Sequence, residues 1–138
     1  MKIREYVGHD QSQIVDLWQA CGLIKPWNDP KKDINRKSKD GTALFLVGEK
    51  HGKIIATAMG GYDGHRGWIN YLAVLPDEQG KGYARQLMTQ IEQRLIKLGC
   101  PKLNLQIRET NLDVVRFYEA LGYKKDACIS MGKRLIED

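Results

Sequence analysis

Two glycines and a lysine stand where a strand gives way to a long helix, in the run Gln79-Gly80-Lys81-Gly82-Tyr83-Ala84. A helix N-terminus presents unpaired backbone N–H groups and a partial positive charge, and so binds phosphate readily. Glycine at 80 and 82 lets the backbone come close to an anion, Lys81 adds charge, and Ala84 is small where the first helical turn must clear a ligand. The chemistry indicated is capture of a phosphate-bearing molecule. A P-loop is excluded, because it needs Gly-Lys-Ser/Thr where this chain has Gly82-Tyr83. A dinucleotide fingerprint is excluded too, since its third small residue would fall at Arg85.

The surrounding elements must place this turn. Lys2 to Val7 reads as a first strand. Asp10 then offers an N-cap to a helix whose Ile14, Leu17, Trp18 and Cys21 recur at helical spacing, closed by Gly22. Pro26 to Pro30 is a turn, and Asp29 before Pro30 caps a polar helix running to about Lys39. Leu44–Glu49 and Lys53–Gly61 form a hairpin across Lys50-His51-Gly52, and a second turn, Asp63 to Gly67, leads into the strand Trp68–Leu75. From Tyr83 the period changes, with Leu87, Ile91, Leu95 and Leu98 on one helix face until Gly99 and Pro101. Leu103, Leu105 and Ile107 alternate as in a half-buried strand, Val114, Phe117, Tyr118 and Leu121 share a helix face, and the tail from Tyr123 to Leu135 is expected to return as one or two strands. A strand–helix–strand crossover after an antiparallel meander implies a mixed α/β sheet with helices on both faces.

Composition limits the remaining choices. The chain has 138 residues, 42% hydrophobic and 28% charged, which is the make-up of one folded domain spanning 1–138 and not of a disordered chain. Its net charge of +5 suits nucleic acid, an acidic membrane surface or a polyphosphate ligand. The three cysteines, Cys21, Cys100 and Cys128, are too few and scattered for a disulfide framework or a zinc knuckle, so no metal is expected. Neither a signal peptide nor a membrane helix is evident, and a cytoplasmic location is expected. No ribonucleoprotein or helix-turn-helix pattern supports nucleic-acid binding.

Three motifs in order carry a family resemblance. Gln79 to Ala84 matches Gln/Arg-x-x-Gly-x-Gly/Ala, the coenzyme A signature of the GNAT N-acetyltransferase superfamily. Tyr71-Leu72-Ala73-Val74-Leu75-Pro76 resembles the family's fourth strand leading into that signature, and Asn111 with Phe117-Tyr118-Glu119-Ala120-Leu121-Gly122-Tyr123 resembles its second conserved segment. Pro26–Pro30 and Gly60–Trp68 are similar to the small bacterial YpeA-like acetyltransferases. The departures are Gln79 where Arg is commoner and Val114 where Ala is usual. The resemblance implies a mixed, mostly antiparallel, twisted sheet of about six to seven strands with about four helices on both faces.

It also implies a reaction. Acetyl-CoA would be the donor, an unidentified amine of a small molecule, polyamine, peptide or protein the acceptor, and the amine would attack directly in a ternary complex. In the family the fourth and fifth strands part beside a bulge; here Leu72, Ala73 and Val74 would offer backbone groups to the pantetheine arm, though their side chains equally suit a core strand. A backbone N–H there would polarise the thioester carbonyl. The resemblance makes Tyr118 the acid for the departing thiolate and Asn111 a cofactor contact; the residues alone read as a core tyrosine and a helix cap. Arg85 and Arg116 are phosphate contacts or solvated helix positions. Relatives acting on protein N-termini carry a Glu where this chain has Gln106, which cannot take a proton. The base candidates are therefore Asp63, Glu49, His65 and Tyr71, with Asp63 also suited to its turn. Trp27, Asn28 and Asp29, with His65 and Tyr71, fall where the family meets its acceptor; a buried Trp and a helix cap are the plainer reading of the loop residues. The rival function is a sensor that binds acetyl-CoA without turnover. A strand-edge homodimer suits the architecture.

Overall fold

The computed structural model describes residues 1–138. The chain divides into two compact units, Met1–Asn104 with Asp138, and Leu105–Glu137.

The first unit is built on a five-stranded sheet in the order β1 to β5: β1 (Lys2–Glu5), β2 (Phe45–Lys50), β3 (Lys53–Tyr62), β4 (Gly67–Val74) and β5 (Leu103–Asn104). The first four strands pair antiparallel and β5 joins β4 in parallel, so the sheet is mixed. Its helices are α1 (Gln11–Ala20), α2 (Pro30–Asp40) and α3 (Tyr83–Lys97). Side chains alternate between the faces of a strand. Phe45 and Val47 of β2 pack with Ile14, Leu17 and Trp18 of α1 and Ile34 of α2. Leu46, lying between them and fully buried, therefore faces the opposite side, where α3 packs on β2, β3 and β4 with Leu87, Met88, Ile91 and Leu95 buried.

Local signals account for most element ends. Asp29 caps α2 by accepting from Lys31 N at 2.9 Å and Lys32 N at 3.2 Å, with Pro30 as the first helical residue. Asp10 behaves differently from the expected N-cap. A 3-10 turn over Gly8–Asp10 precedes α1 and holds Asp10 in a helical conformation. Its carboxylate instead takes a bidentate pair from the Arg4 guanidinium at 2.8 and 2.9 Å and the Val7 N–H at 2.9 Å.

The strand count is five, not six to seven. The alternation at Leu103, Leu105 and Ile107 yields pairing only at Gly67↔Leu103 and Trp68↔Asn104. That ladder stops short of Tyr71, where a bulge bends β4. The expected tail strands are absent, since the sheet takes in none of residues 105–138. Alternation specifies a strand only where one face is buried, and Ile129, Met131, Leu135 and Ile136 are all exposed.

The second unit contains α4 (Leu112–Ala120). Tyr118 is its buried residue, in edge contact with Phe117 and Tyr123 at ring separations of 5.1 and 5.5 Å. Gly122 N donates to Glu119 O and Tyr123 N to Tyr118 O, closing the helix as its C-terminal glycine requires.

Candidate active site

The expected turn forms where the spacing places it. Leu75 N donates to Ile55 O, a 3-10 turn covers Pro76–Glu78, and α3 begins at Tyr83. Gly80 and Gly82 have φ of +79° and +83°, values that L side chains rarely adopt. A Cβ at either would meet nothing within 4 Å, so the ground in front of the turn is open. The first intrahelical bond runs from Gln86 N to Gly82 O, and Gly82 supplies no side-chain cap. The amides of Tyr83, Ala84 and Arg85 therefore stand at the helix mouth. Open space, left-handed glycines and uncapped amides fit a pyrophosphate.

The cations nearby are arranged around an acid. Glu78 accepts from Lys81 at 2.9 Å and from Lys50 at 3.0 Å, and these two bonds hold its carboxyl below the ordinary carboxylate range. Lys50, raised by the same Glu78 contact, lies 5.8 Å from the centroid of the Tyr83 ring. Lys81 thus carries its charge beside Glu78, and Lys50 is a second cation at the turn that sequence reasoning missed. Its position at the end of β2 is distant in the chain from the turn and gave no signal.

β4 supplies the other half of the site. Its pairing with β3 runs Ala56↔Val74, Thr57↔Ala73 and then Met59↔Asn70. Tyr71 and Leu72 therefore lie opposite the single residue Ala58, and this is the bulge. Tyr71 has φ of +51°, a conformation that disfavours a non-glycine residue by about 1–2 kcal/mol. Beyond Trp68 the β4 edge facing β5 is unpaired by that strand. Because Leu75 N points to β3, alternation turns the backbone of Val74 to this free edge. The Val74 carbonyl is already engaged there by Gln79 Nε2 at 3.0 Å and Cys21 Sγ at 3.2 Å. Ala73, paired with Thr57, faces β3. Of the three expected strand residues, Leu72 and Val74 are those with backbone groups on the open edge.

Tyr71 reaches to the α1/α2 face of the sheet. Its ring stacks on Trp18 with centroids 3.7 Å apart, and its hydroxyl donates to Asp33 Oδ2 at 2.5 Å. Burial, reinforced by Asp33, raises the phenol well above its ordinary value, so Tyr71 stays protonated at neutral pH and acts as a donor. Asp33 carried no motif, and only the packing of α2 brings it to Tyr71.

Asp63 anchors its turn. The backbone N–H groups of Arg66 and His65 donate to it at 2.7 and 2.8 Å and Trp68 Nε1 at 3.2 Å, lowering its pKa and keeping it ionised. His65 is exposed in that turn. Glu49 lies 3.4 Å from Arg4. Trp27 is 45% exposed, so the fully buried tryptophan is Trp18 instead. Asn28 closes the turn by donating from its backbone to Lys25 O, and Asp29 caps α2.

In the second unit, Asn111 occupies the N-cap position of α4 without a side-chain cap bond, and Arg116 pairs with Asp113 at 3.0 Å. Burial raises the Tyr118 phenol above its ordinary value. Gln106 donates to Ser130 Oγ. No helix is long and apolar enough to cross a membrane, and no group of three or more His, Cys, Asp or Glu side chains is placed to hold a metal ion.

The bulged β4, the glycine turn and the long α3 fit capture of an acyl-CoA, and comparison with known proteins places the chain among acetyltransferases. The acetyltransferase (GNAT) family profile matches residues 12–123, and the chain belongs to that family. It is an acetyl-CoA-dependent N-acetyltransferase. It is 49% identical over 138 residues to a Pectobacterium atrosepticum protein named acetyltransferase ECA0875, covering 100% of this chain and 98% of that one. Two solved structures share the fold. The ribosomal-protein-S18-alanine N-acetyltransferase of Escherichia coli has a TM-score of 0.76 at 21% identity, over 91% of this chain and 79% of that one. AAC(6')-Iy, in complex with the bisubstrate analogue CoA-S-monomethyl-acetylneamine, has a TM-score of 0.78 at 18% identity, over 96% of this chain and 97% of that one.

Proposed function

We propose that the chain transfers the acetyl group to a primary amine of a small molecule, peptide or protein by direct attack within a ternary complex, and that its two units act as one domain. Three features support this reading: the bulged, unpaired β4 edge, the adjoining glycine turn, and a family match that spans parts of both units. The names of the two solved structures point to nitrogen acceptors, an alanine of a ribosomal protein acetylated on nitrogen and the neamine part of the bisubstrate analogue. The bisubstrate analogue bound to AAC(6')-Iy joins CoA and an acetylneamine group in one molecule, which supports donor and acceptor sites that can be filled together.

When bound, acetyl-CoA would supply an activated acetyl carbonyl; the amine nitrogen bonds to that carbon, the carbon–sulfur bond breaks, and coenzyme A departs as its thiol. In this reading Gly80, Lys81, Gly82, Tyr83 and Ala84 hold the pyrophosphate through backbone amides at the helix mouth. Leu72 and Val74 offer N–H groups to the arm and to the thioester carbonyl. Gln79 braces the end of β4 through the Val74 carbonyl. The family resemblance assigns Tyr118 the role of acid for the departing thiolate, and burial, which raises its phenol, keeps the proton it would donate in place at neutral pH. The acceptor ammonium, with a pKa near ~10.4, must lose a proton before it attacks. Asp63 is a weak base, because three donors already stabilise its charge. Desolvation of the site therefore lowers the amine pKa, and the proton passes to bulk water as the amine enters in its neutral form.

The test is release of CoA thiol from acetyl-CoA with a panel of small amines, polyamines and peptides, run for the wild type and Tyr118→Phe. Amine-dependent release slowed by the substitution, with cofactor affinity kept, is the expected result. Acetyl-CoA binding without turnover on any acceptor would instead make the protein a sensor.

A further inference from the structure

Thr57 lies on β3, wholly buried, between two groups from other elements. Trp18 Nε1 of α1 is 2.9 Å from Thr57 Oγ1, and Thr57 Oγ1 is 2.9 Å from the Tyr71 carbonyl oxygen of β4. An indole N–H can only donate, so the threonine oxygen accepts from it. The single hydroxyl proton must then go to Tyr71 O. Protonation and direction in this chain are thus settled by valence.

That proton goes to the bulge. Between Thr57↔Ala73 and Met59↔Asn70 the regular ladder is interrupted, and the Thr57 side chain binds a carbonyl that lies in the interruption. Tyr71 C=O and Leu72 N–H belong to one peptide plane, and with no cis bond in the chain they point in opposite directions. Pinning the Tyr71 carbonyl toward Thr57 therefore aims the Leu72 N–H away from β3, to the unpaired edge of β4.

We infer that Thr57 is a positioning residue for acetyl transfer: its hydroxyl, oriented by Trp18, fixes the Tyr71–Leu72 peptide so that the Leu72 N–H is aimed at the thioester carbonyl. The inference rests on the reading of the β4 edge as the donor site. It adds a buried side chain that sets the direction of an amide donor. The Thr57 hydroxyl is engaged by Trp18 and the Tyr71 carbonyl, so its effect passes through the peptide plane.

The test is the carbonyl stretch of acetyl-CoA labelled with carbon-13 at the acetyl carbonyl, measured by infrared difference spectroscopy in the free and bound states. It needs no acceptor, and loss of stability alone would not move it. Acetyl-CoA affinity is measured on the same samples by calorimetry. Wild type is expected to lower the bound frequency, because an aimed N–H polarises the carbonyl. Thr57→Val keeps the shape and removes the proton; the shift should vanish while affinity changes by less than about threefold, the size of one weak contact. Thr57→Ser should restore the shift. Thr57→Cys, a weak donor of similar size, should show an intermediate shift and serves if the valine variant does not fold. With an amine that supports turnover, Thr57→Val should slow thiol release at saturating donor by roughly 10- to 100-fold, the range for a misaimed catalytic group. An unshifted frequency in bound wild type, or a full shift in both Thr57→Val and Thr57→Cys, overturns the inference and leaves the donor site intact. Absence of acetyl-CoA binding in wild type would remove the donor-site reading itself.

Discussion

Replacing Gly82 is the sharpest probe of the proposed phosphate-binding turn. At φ of +83° and ψ of 11° an alanine pays a left-handed penalty of about 1–2 kcal/mol. A Cβ there meets no atom of the protein within 4 Å, so no clash adds to that figure. The strain has two outlets. If the turn keeps its shape, Gly82→Ala loses about 1–2 kcal/mol of stability, or about 3–8 °C in Tm for a chain of this size. If the turn relaxes, the amides of Tyr83 to Arg85 are misaligned and the same energy appears as about a 5- to 30-fold weaker affinity for acetyl-CoA. The Cβ also projects into the open ground that a pyrophosphate would use, so some affinity is lost in either case. Gly82→Val, branched at Cβ, should do more on both axes. Calorimetric titration and a thermal melt on the same protein separate the outlets. Affinity within about twofold of wild type for both variants, at unchanged Tm, would falsify the placement of the pyrophosphate at this turn.

Two further outcomes concern charge. Glu78→Gln removes the carboxylate shared by Lys50 and Lys81. Acetyl-CoA should then bind about two- to fivefold tighter at low salt, the scale of an exposed ion pair, and the gain should fade near 1 M salt; tighter binding that persists there would point to a rearranged turn. Asp10 governs acid stability: burial raises its pKa, but Arg4 and the Val7 N–H outweigh this and the folded value is lowered. Its contribution is therefore fully present above the unfolded pKa of about 3.9 and is lost as pH falls through the lower folded value. Urea melts should show stability falling below about pH 4, and Asp10→Asn should flatten that arm; an identical acid limb in both proteins would clear Asp10 of this role.

Local chemistry made much of the proposed donor site legible from the order of residues alone. Gly80 and Gly82 announce left-handed backbone, the apolar period from Leu87 to Leu95 announces α3, and Asp29-Pro30 announces the start of α2, because each signal acts within a few residues of itself. The same logic failed where a partner was needed. Asp10 reads as a cap until Arg4 claims its oxygens, and the alternating residues after Asn104 read as strand although the β4 ladder stops at Trp68.

The β4 bulge depended on tertiary structure most of all. Tyr71 is no glycine, and nothing in its neighbours marks a left-handed residue; it takes φ of +51° because Trp18, Thr57 and Asp33, from three other elements, hold its ring, carbonyl and hydroxyl at once. A conformation unfavourable to the residue itself persists only when its surroundings over-determine it, and those surroundings exist only after α1, α2 and β3 have packed. The glycine turn was therefore written in the order of residues, while the conformation of the β4 bulge was decided by the assembled core.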